Sequence, residues 1–368
     1  MKLFTVGPTE PHPVAFATSA ERLPYFRTGE FSDLVLGLER DYLSLMRAPQ
    51  GSRAVFLTCS GTGAMESSIA ALFGPTDRVL VFVSGAFGQR IVEICQSRAI
   101  PHDVIHIPAG RSVSAADLPA AKAGDYAGVL LTSHETSTGV LHDTKLVGAF
   151  AHSIGAVMVS DGISTFLADP YPMDEFEIDV AITSSHKALG LHPGMAFVCL
   201  SPLALAKVAT GSAGPQPYYL DLRRHLTDGL RGQSPWTPAI AALLQMRLQL
   251  DRIAAAGLYG EIARSQGLAR HLRAGLEGLP LEITTMDLSN CLTPLRMAGP
   301  QSAGDLYAYL MQHHDIAIQP TGGPHAQTHF RIGHIGNLTL QDNDELIAGL
   351  RAFFGMTDSN SERVDASV

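Results

Sequence analysis

The chain has 368 residues, of which 46% are hydrophobic and 17% are charged, so it can bury a large core and is long enough for two domains. Its formal net charge is −9, its pI is near 5.9, and it has no dense run of Lys and Arg, which argues against nucleic acid as a partner. The four cysteines lie far apart, without CxxC or metal-ligand spacing, so reduced thiols and no metal site are expected. No signal-like segment and no run of 18 apolar residues occurs, which predicts a cytoplasmic protein that does not bind membranes.

Short apolar runs alternate with amphipathic stretches of helical length over the first part of the chain. The strand-like runs are "AVFLT" (54–58), "RVLVFVS" (78–84), "GVLLTS" (128–133), "AVMVSD" (156–161) and "FEIDVAIT" (176–183). The first three of these lead into helical patterns, and the last shows alternating apolar positions. Short strands separated by helices predict an α/β core with a mostly parallel sheet flanked by helices.

The C-terminal third has a different pattern. A long helical pattern covers residues 234–257, and after it the chain predicts helix, strand, helix, a strand ending in "HFRIGHIG" and a closing helix. We therefore predict an N-terminal arm (1–14), a large domain (15–257) and a smaller C-terminal α+β domain (258–355). The polar residues 356–368 lack periodicity, which predicts a disordered tail.

Three strand ends carry groups suited to one ligand, because ligands of open parallel sheets bind outside the carboxyl ends of the strands. Ser60, Gly61 and Thr62 follow a strand and open a helix, where backbone N–H groups and hydroxyls could hold a phosphate; a plain N-cap with a glycine turn is the alternative. Asp161 closes a strand and could hold a ring nitrogen protonated, although a turn cap would also explain it. Lys187, in a polar turn after the next strand, could be an amine nucleophile and base if it is desolvated, or an ordinary surface lysine. A phosphate cradle, a carboxylate for a ring nitrogen and an amine are the three attachments of pyridoxal 5'-phosphate.

The order of several motifs resembles a known family. These motifs are "SGTGAME", "FGQR", "HETSTGV", "VSDGIST", "SSHKALG", "PYYLDL", "TP" and "RIGHIG". They resemble the class V aminotransferases of fold type I, closest to alanine:glyoxylate and 2-aminoethylphosphonate:pyruvate transaminases, over about residues 3 to 355. The resemblance implies pyridoxal 5'-phosphate as cofactor and a large domain built on a mostly parallel sheet of seven strands. It also implies that Lys187 carries the cofactor, that Asp161 pairs with the pyridine nitrogen, and that Ser60, Gly61 and Thr62 hold the phosphate.

Further cofactor contacts are implied by the same resemblance. Thr136 would lie near the ring hydroxyl, and Phe87 would cover the ring face where alanine:glyoxylate enzymes usually have Trp; a core role for Phe87 is the alternative. His186 directly precedes the lysine. It could be a hydrogen-bonded group behind the site or a carrier of protons. Tyr219 and Thr237 match positions that reach the phosphate of the neighbouring subunit, which implies an obligatory homodimer.

Two arginines are candidates for the substrate. Arg331 in "RIGHIG" matches the family's arginine for the substrate carboxylate, with a strand-edge surface arginine as the alternative. Arg27, in "LPYFRTGEFS", could meet a distal anionic group, or form an ion pair at the surface or the dimer interface. The expected reaction moves an amino group from a small donor (2-aminoethylphosphonate, alanine or serine) to pyruvate or glyoxylate by a ping-pong mechanism, with the 2-aminoethylphosphonate pair first to test.

Parts of the sequence are also compatible with other classes of protein. A cysteine desulfurase-like lyase shares fold and cofactor but needs a nucleophilic Cys on a mobile loop, and Cys291 instead lies in a strand-like segment. A nicotinamide oxidoreductase would need a dinucleotide motif, and GxGxxG is missing. A noncatalytic cofactor-binding protein would be excluded by sustained transamination.

Overall fold

The chain forms two sheets, of seven and five strands, and a two-stranded ribbon, with helices packed on the sheets. A computed structural model describes residues 1–17, 22–211 and 213–356. The helices are α1 (Val14–Ala17), α2 (Gly29–Leu45), α3 (Gly61–Leu72), α4 (Ala86–Ser97), α5 (Thr144–Ser153), α6 (Pro202–Thr210), α7 (Leu222–Gly229), α8 (Ile240–Ala256), α9 (Leu258–Gly275), α10 (Ala303–His314) and α11 (Leu340–Phe353). The strands are β1 (Lys2–Phe4), β2 (Arg53–Leu57), β3 (Val79–Val83), β4 (His102–His106), β5 (Gly128–Thr132), β6 (His134–Glu135), β7 (Val140–Leu141), β8 (Val157–Asp161), β9 (Val180–Ser184), β10 (Ala196–Leu200), β11 (Leu281–Ile283), β12 (Leu292–Met297), β13 (Ile316–Pro320) and β14 (His329–Gly333).

The larger sheet has seven strands in the order β2-β10-β9-β8-β5-β3-β4. Neighbouring strands from β9 through β8, β5 and β3 to β4 run parallel, whereas β10 is antiparallel to both β2 and β9. With its flanking helices, this sheet confirms the predicted fold class. None of the helices among the described residues is long and apolar enough to cross a membrane.

The central strands are buried at every residue, because helices cover both faces of the sheet. In β3, Val79 and Val81 pack in the cluster that includes α3 and α4, and Leu80 and Phe82 pack in the opposite cluster with α5. The segment "FEIDVAIT" contains the start of β9, and its alternating apolar positions do not mark a single buried face. The strand begins only at Val180, and all five of its residues are buried.

The smaller sheet contains a strand from each end of the chain. Its order is β1-β13-β14-β12-β11, and β1 pairs in parallel with β13, with Leu3 opposite Ala317. The predicted N-terminal arm thus contributes a strand to the C-terminal sheet, where Phe4 lies in the core with Leu310 and Ile332. Local sequence patterns could not show this pairing between segments more than 300 residues apart. Residues 357–368 of the predicted disordered tail lie outside the described residues.

Candidate active site

The carboxyl ends of the parallel strands border a cavity of about 240 Å³. The predicted residues that line it are Ser60, Gly61, Thr62, Phe87, Thr136, Asp161, His186 and Lys187. Residues that were not predicted also line it, namely Gly7, Met65, Arg90, Thr132, His134, Ile163 and Ser164. The structure thus brings together eight of the twelve predicted site residues.

The amino end of α3 opens into this cavity. Ser60 is its N-cap in extended conformation, and the Ser60 hydroxyl makes no capping bond. The amide of Ala64 makes the first helical hydrogen bond, to Ser60 O at 3.3 Å. The amides before it in the first turn have no acceptor within the helix. The guanidinium of Arg90 adds a positive charge near this end of the helix, where its Nη1 donates to Thr62 Oγ1 at 3.1 Å. This end of the helix is suited to an anionic group such as a phosphate.

Asp161 lies at the end of β8 and is buried. Its Oδ1 accepts a hydrogen bond of 3.0 Å from the Ile163 amide. Burial and, to a smaller extent, the Glu135 carboxylate raise the pKa of this carboxyl to about 6, against the opposite effects of the Ile163 hydrogen bond and of the charges of Lys187 and Arg90. A cation placed against Asp161 would stabilise its ionised form, as the protonated nitrogen of a pyridine ring would do.

Lys187 is almost completely enclosed, with 7% of its surface exposed. Burial lowers the pKa of its amine, and the nearby Arg331 and Arg90 lower it as well, against the opposite effects of Cys291 and Asp161. Its Nζ donates to the carbonyl of Val6, a residue of the N-terminal segment. The lysine is therefore a desolvated amine rather than a surface cation, as an amine nucleophile requires.

The N-terminal segment forms one wall around this lysine. Gly7 has φ +138°, and a Cβ built there would lie 2.8 Å from both Cε and Nζ of Lys187. Thr9 Oγ1 donates to Lys187 O at 3.0 Å, and the Thr9 amide donates to His186 O at 3.3 Å. Burial lowers the pKa of the His186 ring to about 4, so this histidine is neutral at pH 7.

A buried carboxylate orients the aromatic wall of the cavity. The amides of Phe87 and Gly88, in the first turn of α4, donate to Glu135 Oε2 at 2.9 and 3.0 Å. The Arg90 guanidinium lies 4.7 Å from the centre of the Phe87 ring. Phe87 is half-buried and faces the cavity, which favours a contact with a ligand over a core role.

Two polar atoms in the cavity wall lack a protein partner. Thr132 Oγ1 and His134 Nε2 are both buried without a hydrogen bond, although His134 Nδ1 lies 3.0 Å from Ser164 Oγ. Burial lowers the pKa of His134 to about 3, so its ring is neutral. Buried polar atoms are rarely left unpaired, and a polar ring in the cavity could satisfy them. The signal in the sequence was the position of both residues at the end of the "GVLLTS" strand.

The groups that line the cavity match the parts of pyridoxal 5'-phosphate. The open end of α3 fits its phosphate, and Asp161 fits a protonated ring nitrogen. Lys187 supplies the amine, and the half-buried Phe87 supplies an aromatic face. Gly7 leaves room at the lysine that a side chain would fill. The cavity therefore fits this cofactor.

Arg331 borders a neighbouring cavity instead. Its Nη1 donates to Thr136 O at 2.9 Å and its Nη2 to Pro320 O at 3.1 Å. Its Nε is buried without a partner, and burial lowers the pKa of the guanidinium. Both hydrogen-bond acceptors of this guanidinium among the described residues are carbonyl oxygens, and the Glu135 carboxylate acts on it only through its charge.

The other three predicted residues line neither of these two cavities of the single chain. Tyr219 is 46% exposed and stacks on Trp236, and Thr237 is also exposed. Arg27 donates to Gln233 Oε1 at 3.1 Å and lies 4.6 Å over the Phe26 ring. Their predicted roles stay predictions.

Comparisons with known proteins place the chain in a family. The model of the family described as "Aminotransferase class-V" matches residues 19–361. The chain is 32% identical to the "L-aspartate--glyoxylate aminotransferase" of Paracoccus denitrificans (strain Pd 1222), over 77% of this chain and 74% of that protein. It is 30% identical to the "Soluble hydrogenase, small subunit" of Synechococcus sp. (strain PCC 6716), over 95% of this chain and 92% of that protein. Among solved structures it resembles the subgroup IV aspartate aminotransferase of Thermus thermophilus, with a TM-score of 0.89, 28% identity, and coverage of 96% of this chain and 99% of that one. The chain therefore belongs to the class V aminotransferase family, and it is an aminotransferase that depends on pyridoxal 5'-phosphate.

Proposed function

We propose that this enzyme transfers an amino group from a small amino donor to glyoxylate or pyruvate by a ping-pong mechanism. One observation carries the proposal: the desolvated Lys187 and the buried Asp161 line the same cavity as the open end of α3. The name of the Paracoccus relative supports glyoxylate as the acceptor. The donors to be tested are 2-aminoethylphosphonate first, then alanine, serine and aspartate.

The residues have separate tasks in this proposal. Pyridoxal 5'-phosphate, when bound, supplies a ring that accepts the electrons released at the α-carbon of the donor. Asp161 would hold a proton on the ring nitrogen, because its carboxylate is buried away from water. The Lys187 amine, whose pKa is lowered by burial, would take the α-proton of the donor and later return it. Ser60, Thr62 and the first amides of α3 bind the phosphate.

Arg331 binds the carboxylate of the donor and of the oxo acid. Its planar guanidinium can form two parallel hydrogen bonds with a carboxylate. Its present bonds to two carbonyl oxygens keep it in position at the edge of the site. The unpaired Nε is a further donor that a substrate could use.

The complete site is proposed to form in a homodimer. Tyr218, Tyr219 and Trp236 make an aromatic surface in which the two tyrosines are 69% and 46% exposed. Such surfaces are common in protein interfaces. From there Tyr219 and Thr237 would reach the phosphate of the partner. Mixing Lys187→Ala chains with Thr237→Ala chains tests this, because a mixed dimer retains one intact site and should regain activity that neither variant has alone.

The absorption spectrum tests the proposed function directly. Purified protein and Lys187→Ala are compared in the visible range before and after addition of each donor, with Lys145→Ala, an exposed lysine paired with Glu175, as control. Wild type and the control should show a band of lysine-bound cofactor that Lys187→Ala lacks. One donor should bleach this band, and glyoxylate or pyruvate should restore it. A band in Lys187→Ala equal to that of wild type would refute the role of this lysine.

No observation favours a cysteine-dependent lyase. Cys95, Cys199 and Cys291 are buried, Cys59 is half-buried, and burial raises the pKa of all four thiols. For Cys291, next to the site, the pKa is about 12. A nucleophilic thiolate would need the opposite shift and an exposed loop. The four unpaired thiols also fit the cytoplasmic location that we propose.

A further inference from the structure

A second cavity of about 280 Å³ lies beside the first, between the turn that joins β6 to β7 and the smaller sheet. Ser137 and Thr138 line it from the large-sheet side, and Arg331, His325 and His329 line it from the other side. Its remaining lining residues are all neutral, and no carboxylate is among them. A cavity with one guanidinium, two imidazoles and several hydroxyls is suited to an anionic ligand.

The side chains of His329 and Arg331 share one face of β14, because residues two apart in a strand point the same way. The alternate residues Phe330 and Ile332 are buried in the core of the smaller sheet. The strand therefore holds an imidazole and a guanidinium side by side on a rigid support, as a binding site requires.

The two histidines form a pair. The rings of His325 and His329 are 4.7 Å apart between centroids, and Thr328 Oγ1 lies 2.8 Å from His329 Nδ1. Burial lowers the pKa of His329, and the charges of His325 and Arg296 lower it further. When the Thr328 hydroxyl donates to Nδ1, the ring proton is on Nε2, which is then a donor for a ligand.

Arg331 lies at the boundary between the two cavities. It donates to the carbonyl of Thr136, which lines the first cavity, and it lines the second cavity itself. The next residues of this loop, Ser137 and Thr138, face the second cavity. A donor that reaches Lys187 with its amino group and Arg331 with its α-carboxylate can therefore extend its side chain into the second cavity.

We propose that the second cavity binds the distal acidic group of the amino donor through His325 and His329, so that the preferred donor is an amino acid with two acidic groups. The inference rests on the proposed function, since it assigns the substrate class of the same site. Alanine and serine would leave the histidine pair without a partner. 2-Aminoethylphosphonate carries one acidic group and cannot occupy Arg331 and the pair together.

Donor selectivity tests the proposal. kcat/KM is measured for aspartate, alanine and 2-aminoethylphosphonate with glyoxylate, in wild type and in the double variant His325→Asn/His329→Asn. The exposed His313→Gln on α10 is the control. Wild type should prefer aspartate over alanine by about 10- to 100-fold. The double variant should lose a similar factor for aspartate, mainly through KM, and keep its value for alanine. Equal use of alanine and aspartate, a preference for 2-aminoethylphosphonate, or an equal loss for all donors would overturn the proposal.

A binding measurement separates this proposal from the proposed function. Calorimetry with the cofactor-loaded protein compares maleate, which has two carboxylates and no amino group, with acetate. Maleate should bind at least about tenfold more tightly than acetate in wild type, and this difference should vanish in the double variant. If no donor reacts while maleate shows this pattern, the proposed function fails and the assignment of the cavity stands. If donors react but maleate binds to wild type no more tightly than acetate, the assignment of the cavity is refuted while the proposed function stands.

Discussion

The contact between Gly7 and Lys187 leads to a sharp prediction for Gly7→Ala. A Cβ at residue 7 would lie 2.8 Å from Lys187 Cε and Nζ, whereas carbon atoms in contact are about 3.5–4.0 Å apart. The lysine amine must therefore move by about 1 Å, or the N-terminal segment must move away from it. Gly7 also has φ +138°, which strains any residue with a side chain.

Gly194→Ala is a matched control for this variant. Gly194 has φ +135°, almost the same as Gly7, but a Cβ there would meet nothing within 4 Å. Both substitutions should lower the free energy of unfolding by about 1–3 kcal/mol through backbone strain. Because a displacement of about 1 Å at a reacting group can cost about 100-fold in rate, kcat of Gly7→Ala alone should fall by about that factor.

The assay combines urea unfolding of the cofactor-free protein, the visible spectrum and steady-state kinetics. Gly7→Ala should show both the stability loss and the loss of kcat, with a weakened or shifted band of the lysine-bound cofactor. Gly194→Ala should show the stability loss with near-normal kcat and spectrum. Equal kcat values in the two variants would show that the segment at Gly7 does not position the lysine.

Three further substitutions probe other parts of the site. In the cofactor-free protein Asp161→Asn should increase the free energy of unfolding. The pKa of the buried carboxyl is about 6 in the folded protein instead of the usual 3.8, so its ionisation costs up to about 3 kcal/mol of stability. This cost is absent below pH 3.8 and grows as the pH rises from 3.8 through 6. Unfolding at pH 4 and pH 8 should thus show a gain only at pH 8, together with lost activity, and a gain of equal size at both pH values would contradict this origin. Arg331→Lys should raise KM for glyoxylate about 10- to 100-fold and leave the visible band unchanged; an unchanged KM would speak against the carboxylate contact. Glu135→Ala should lower the free energy of unfolding in urea by about 1–2 kcal/mol, because the amides of Phe87 and Gly88 lose their acceptor, and a loss below about 0.5 kcal/mol would contradict the capping role.

The site residues at strand ends were predictable because their signals are local. Asp161 and Lys187 each follow a continuous apolar run, and Ser60 stands between such a run and a helical pattern. In a parallel sheet the carboxyl ends of the strands meet at one edge, so three local patterns were enough to predict one site. The structure brings them to one cavity, together with Phe87.

Other parts were missed because their cause is not local. Arg90 lines the cavity, but an isolated Arg in the sequence does not show which side of a helix faces a ligand. Helix α2 and strand β4 were not predicted either; β4 has no fully buried residue and so lacks a strong apolar signal.

The amino-acid sequence alone predicted the fold class, a resemblance to the family and three candidate attachments for the cofactor, since apolar periodicity and short motifs extend over a few residues. Only the tertiary structure decided that the N-terminus joins the C-terminal sheet and brings Gly7 against Lys187. It also decided that Arg331 lies between two cavities, the second of them lined by a histidine pair. These features depend on contacts between segments far apart in the chain, and such contacts form only when the whole core packs.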